Sequence, residues 1–133
     1  MHRFHDQRID TGIAQFNSGE YFACHDSFED YWNDLVCPER TFFQGVIQSS
    51  VALFHFEGGN LGGAMRMYRS AVVYLSPWQP HFDGFDVEGL LHGLSRCFQE
   101  LDQPHSAYPD HIQFDPALAP RLSRDQPLSP ETS

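Results

Sequence analysis

One stretch of this chain, from about Glu39 to Glu57, is at home only in the middle of a helical protein. At about 100° per residue, Phe42, Phe43, Val46, Ile47, Val51, Ala52, Leu53, Phe54 and Phe56 fall nearly all the way round a helix. A helix that is apolar on every side must be covered on every side. Gly58-Gly59 then supplies the stop, because glycine adopts the left-handed conformation that ends a helix at little cost. The rest of the chain has to provide the covering surfaces.

Amphipathic segments of the right period are present for that purpose. A first helix from about Phe4 to Phe16 carries Ile9, Ile13 and Phe16 on one side and ends at Asn17-Ser18-Gly19. A second, about Glu20 to Val36, has a stripe of Tyr21, Cys24, Phe28, Tyr31, Trp32 and Leu35 and is closed by Cys37-Pro38. Asn60 is placed to cap a fourth helix bearing Leu61, Ala64, Met65, Tyr68, Ala71, Val72 and Leu75. After the loop Ser76-Pro77-Trp78-Gln79-Pro80, Asp86 caps a fifth with Val87, Leu90, Leu91, Leu94, Cys97, Phe98 and Leu101 in register.

No run reads as a strand. The expected fold is therefore all-α, a compact bundle of about five helices around a central buried one. With 133 residues, 41% hydrophobic and twelve of them Phe, the chain can fill one core without disulfides or structural metal. Residues 1–102 form the expected helical domain. The remaining 103–133 hold six of the nine prolines and are expected to be an extended tail, packed on the domain or partly disordered, with Tyr108, Ile112 and Phe114 as anchors.

The charge balance narrows the partners. Eighteen acidic residues stand against eight basic ones, all Arg, for a net charge of −10. Nucleic acid and anionic membrane both need a clustered basic face, so neither is expected. A small-molecule ligand and a homo-oligomer stay open. Cys24, Cys37 and Cys97 are odd in number and far apart, which fits reduced thiols rather than a disulfide frame. The segment Met1 to Asp6 is too polar for a secretory signal and no apolar run reaches membrane-spanning length, so a cytoplasmic location is expected.

The residues able to do chemistry concentrate on helices two and three. His25 and Glu29, four apart, share a face with Trp32, whereas Asp26, Asp30 and Asp34 project to the expected solvent side. On helix three Gln44, Gln48 and His55 fall within about 40° of one another, a narrow polar stripe on an apolar rod. Buried polar groups need partners, so the stripe is expected to face His25 and Glu29 across the helix interface.

Two imidazoles and one carboxylate are a donor set for a divalent metal ion, with His25, Glu29 and His55 as ligands. His25, Glu29 and Gln48 are then the candidate catalytic residues, with Gln44 or Gln48 orienting substrate. The same residues also read as a structural network in which the polar groups only satisfy each other. Nucleophilic catalysis has little support, since Ser27 projects outward, Ser49 and Ser50 sit mid-helix and Cys24 has no basic neighbour. Gly58 to Gly63 lacks the lysine and preceding strand of a phosphate loop and reads as a tight turn.

These residues carry a family resemblance. Phe16-Asn17-Ser18-Gly19-Glu20-Tyr21-Phe22-Ala23-Cys24-His25-Asp26, followed by Glu29 and Trp32, and then Gln44-Gly45-Val46-Ile47-Gln48 with His55, Gly59-Asn60 and Gly63-Ala64, resemble the family known as domain of unknown function 309. The likeness spans about Phe16 to Leu101. Ala23 stands where many members carry an acidic residue, and Asp26 replaces the commoner Glu. The resemblance implies an all-helical bundle, and the family's other label, predicted metal-dependent hydrolase, implies a metal-dependent hydrolase with a His/Glu site between helices two and three. The alternative is a non-catalytic helical module that binds a ligand or a protein and uses the cluster to fix helix register.

Overall fold

Asp6 opens the first helix in the computed structural model, which describes residues 2–125. Its side chain accepts the Arg8 N–H and so fills one of the donors that a helix start leaves unpaired. The helix, α1 (Gln7–Asn17), buries Ile9, Gly12 and Phe16. It starts later than its apolar spacing suggests, because Phe4 is drawn into an aromatic cluster instead, 5.5 Å from Phe43 and 5.7 Å from Phe82.

Helix α2 (Tyr21–Asn33) runs antiparallel to α3 (Arg40–Glu57), and α4 (Leu61–Leu75) packs on the opposite flank of α3. The turns that reverse the chain use Gly19 and Gly59, both at φ 83°, a conformation any side chain would strain. Asn60 caps α4 by accepting the Gly63 N–H. α3 is the buried centre: Phe42, Phe43, Val46, Ala52 and Leu53 are fully shielded. Its buried Ser49 and Ser50 hydroxyls are satisfied within their own helix, by Gly45 O and Ile47 O.

A short ribbon, β1 (His81–Phe82) paired antiparallel with β2 (Phe85–Asp86), corrects the expectation of no strand. Asp83-Gly84 forms its turn, with φ 48° and 86°. An Asp-Gly pair is a strong hairpin signal, but its flanks of two residues are too short to show alternation. Asp86 then caps α5 (Val87–Cys97) through the Gly89 N–H. Phe98 at its end stacks on Tyr68 at 4.6 Å and meets Phe56 at 5.0 Å, which seats α5 on α3 and α4.

Beyond α5 the described chain adds a 3-10 turn at Pro116–Leu118 and a single antiparallel bridge from Arg124 to Phe85 of the ribbon. It runs across the bundle, burying Ile112 and Leu122 and setting Phe114 edge-on to Tyr21 and Phe56. The Asn17 amide brackets Leu122, donating to its carbonyl at 2.9 Å and accepting its N–H at 2.8 Å. Residues 126–133 of the expected tail lie outside the described residues. Among the described residues no helix is long and apolar enough to cross a membrane.

Candidate functional site

The centre of the buried stripe on α2 passes through Tyr21, Cys24, Phe28 and Tyr31. At about 100° per residue, His25 and Glu29 lie on its flank, roughly 80° and 120° from that centre. Hence His25 is only half-buried, and the Glu29 side chain, at 49% exposure, does not face inward as its spacing from His25 suggests. The Gln44, Gln48, Val51 and His55 stripe of α3 is likewise half-buried. The two flanks come together at His25, Val51 and His55, which line one cleft.

Arg40 stacks over the Trp32 ring at 3.7 Å where α2 gives way to α3. Toward the opposite end of the helix pair, Tyr21, Phe22, His25, Val51, Phe54 and His55 line a cleft of about 200 Å³. Phe22 and Phe54, 57% and 41% exposed, stand 5.4 Å apart at its rim. Neither aromatic belongs to the expected site. The signal was available in Phe22, a large apolar residue projecting away from the core stripe of its helix.

In place of the expected network across the interface, each histidine meets a local neighbour, His25 on α2 and His55 at the α3–α4 turn. His25 Nε2 lies 3.0 Å from Glu29 Oε2 one turn on, within reach inside a single helix. Asp26, expected on the solvent side, also approaches His25, its Oδ1 3.3 Å from Nδ1. That approach is an ionic proximity rather than a hydrogen bond, for Nδ1 is buried without an aligned partner. His55 Nδ1 faces the Asn60 amide nitrogen at 3.3 Å, and since Asn60 Oδ1 already accepts from Gly63, that nitrogen is the donor. Gln48 Oε1, opposite α2, is buried and unsatisfied. Burial pushes the Cys24 thiol up to about 12, and the Tyr21 hydroxyl likewise with help from nearby Cys97 and Glu57, so neither is poised as a nucleophile.

A divalent ion on His25, Glu29 and His55 needs their donor atoms on one point at about 2.0–2.2 Å. As placed, the set does not fit: His25 and Glu29 face each other, and His55 turns to Asn60. Among the described residues no group of three His, Cys, Asp or Glu side chains is disposed to hold a metal ion. What the arrangement offers is an apolar cleft with imidazole edges, flanked by carboxylates.

Fold and site together define a class, the small helical bundles that carry a histidine–carboxylate pair on the open edge of a helix hairpin. Residues 9–67, from α1 into α4 and including every residue of the cleft, match the family model described as Domain of unknown function (DUF309). The chain is also similar to Uncharacterized protein YpuF of Bacillus subtilis (strain 168), 33% identical over 105 residues. That match covers 75% of this chain and 59% of the relative, so the chain spans less than two thirds of YpuF's length.

Proposed function

We propose that the chain is a non-catalytic helical binding module whose α2–α3 cleft receives one apolar or aromatic group. The observation that carries this reading is the cleft itself: two exposed phenyl rings and Val51 form an apolar wall edged by His25 and His55. Exposed aromatics held in register on rigid helices are what a recognition surface requires. The polar groups beside it have local partners, His25 facing Glu29 one turn on and His55 meeting Asn60 at the start of α4, an arrangement suited to holding the cleft's shape.

Titration with indole, followed by NMR, tests the reading. The His25 and His55 ring protons and the Val51 methyls are expected to shift together and saturably, and Val51→Trp, which fills the cleft at a half-exposed position, abolishes the response. Shifts that survive Val51→Trp, or none at millimolar indole, would overturn it.

The second reading, a metal-dependent hydrolase using His25, Glu29 and His55 as ligands and Gln48 to orient substrate, is favoured by one observation, that both imidazoles line the same cleft. It requires His55 to leave Asn60 and Glu29 to turn from His25. On the binding-module reading, elemental analysis of protein purified without chelator finds no stoichiometric metal. A stoichiometric ion that is lost in His25→Ala, together with metal-restored ester or phosphoester hydrolysis, would replace the first reading with the second.

A further inference from the structure

We infer that the occupant of the α2–α3 cleft is an aromatic side chain of a partner protein, carried on a basic segment whose arginines or lysines meet Asp26 and Glu29 beside His25. This deepens the binding-module reading and rests on it.

Size comes first. Pockets that engulf a free ligand run to about 300–1,000 Å³, whereas this one offers about 200 Å³. One ring fits, and the rest of the occupant must lie on the surface outside. That is how an interface anchor binds, with a single aromatic buried in a pocket and a rim of weaker contacts around it.

Charge then selects the segment that bears the ring. Of the α2 carboxylates, Asp30 and Asp34 are taken by Arg8, at 3.1 and 2.8 Å. Asp26 and Glu29, 64% and 49% exposed, are met among the described residues by His25 alone. Carboxylates thus flank the His25 edge of an apolar slot, on a chain of net charge −10. Such a surface attracts basic segments and repels acidic ones. It also disfavours a second copy of this chain, because a two-fold contact through the cleft would set these carboxylates against their own images.

Three blocked peptides supply the test, each with one tryptophan, flanked by arginines, by serines or by glutamates, titrated into the full chain beside indole. The arginine peptide is expected to bind tightest and the glutamate peptide weakest, with the His25 and His55 resonances reporting. Its affinity is expected to fall as salt rises from about 0.1 to 0.5 M. Asp26→Asn with Glu29→Gln is expected to weaken the arginine peptide roughly three- to tenfold and the serine peptide by distinctly less.

Equal binding of the arginine and serine peptides overturns the basic partner and leaves the cleft reading standing. Arginine-peptide binding that survives Val51→Trp overturns it as well, since the charge would then act away from the slot. If neither indole nor any peptide binds, both readings fall. A dimer in sedimentation that Val51→Trp dissolves makes the occupant a second copy and overturns the inference.

Discussion

Arg124→Ala is expected to cost about 3–5 kcal/mol of stability, roughly 10–20 °C in Tm for a chain of this length. The guanidinium is buried at 8% side-chain exposure and Asp83 opposite it at 12%, with 2.7 Å between them. Arg124 also donates to Phe4 O at 2.8 Å and Asp83 O at 3.1 Å, and it lies over the Phe85 ring. Asp83 in turn accepts the backbone N–H groups of Arg3 and Phe4. One ion pair therefore clasps the amino-terminal segment, the β1–β2 turn and the last described stretch of chain. Removing the cation strands a buried carboxylate, and that uncompensated charge is the large term. Asp83→Asn is expected to cost less, because Asn tolerates the turn's positive φ and Arg124 keeps the Phe4 and Asp83 carbonyls as acceptors, while the one amide oxygen serves only one of the Arg3 and Phe4 N–H groups. Pairing it with Arg124→Met should cost less than the sum of Asp83→Asn and Arg124→Met alone, a coupling that thermal unfolding of the natural chain, the two single variants and the double variant measures directly.

The pH dependence of the clasp has a definite sign. Burial alone would raise the Asp83 carboxyl, but the N–H groups of Arg3 and Phe4 and the charge of Arg124 outweigh it and hold it below its ordinary value. A depressed carboxylate contributes fully above its unfolded value, about 3.9, and its contribution disappears as pH falls through the folded one. Asp83→Asn should therefore flatten the acid limb of the stability profile below about pH 4 and leave its neutral shape unchanged.

The central helix was legible in the sequence because α3 is apolar around its whole circumference, which leaves one place for it whatever its neighbours do. Asn60 and Asp86 were legible as caps for a local reason, since each side chain reaches an N–H three residues away. The candidate site was less so. Periodicity says which residues share a face but not how far two helices roll against each other. Glu29 lies on the open edge because it sits about 120° from the buried centre of its own helix, whereas the approach of Phe22 to Phe54 depends on how α2 and α3 meet. His55 shows the same limit: its partner is Asn60, whose capping role leaves an amide N–H free to donate, a bond visible only once the turn at Gly59 has closed. The clasp joins residues 41 and 120 positions apart, beyond any local pattern.

Phe43→Ala should be the most damaging single truncation in the core, at about 3–5 kcal/mol. Its fully buried ring meets Tyr31 at 5.2 Å and Phe28 at 6.4 Å on α2, Phe4 at 5.5 Å, and Phe82 and Phe85 at 6.2 Å in the ribbon. A cavity there has aromatic walls on several elements that cannot all collapse inward, so the lost contacts are not regained. Phe43→Leu, which refills most of the volume, should restore a large part of the loss. Phe54→Ala on the same helix is the contrast, because that ring is 41% exposed and its removal should cost well under the core value while abolishing indole binding. Equal destabilisation by Phe43→Ala and Phe54→Ala in denaturant melts would mean that Phe54 is a core residue and not a recognition residue. Phe43 also shares Phe4 and Phe85 with the Arg124 clasp, so its loss and that of Arg124 should combine to less than their sum: once either is gone, the amino-terminal segment and the ribbon are already loosened, and the second truncation has less native structure left to remove.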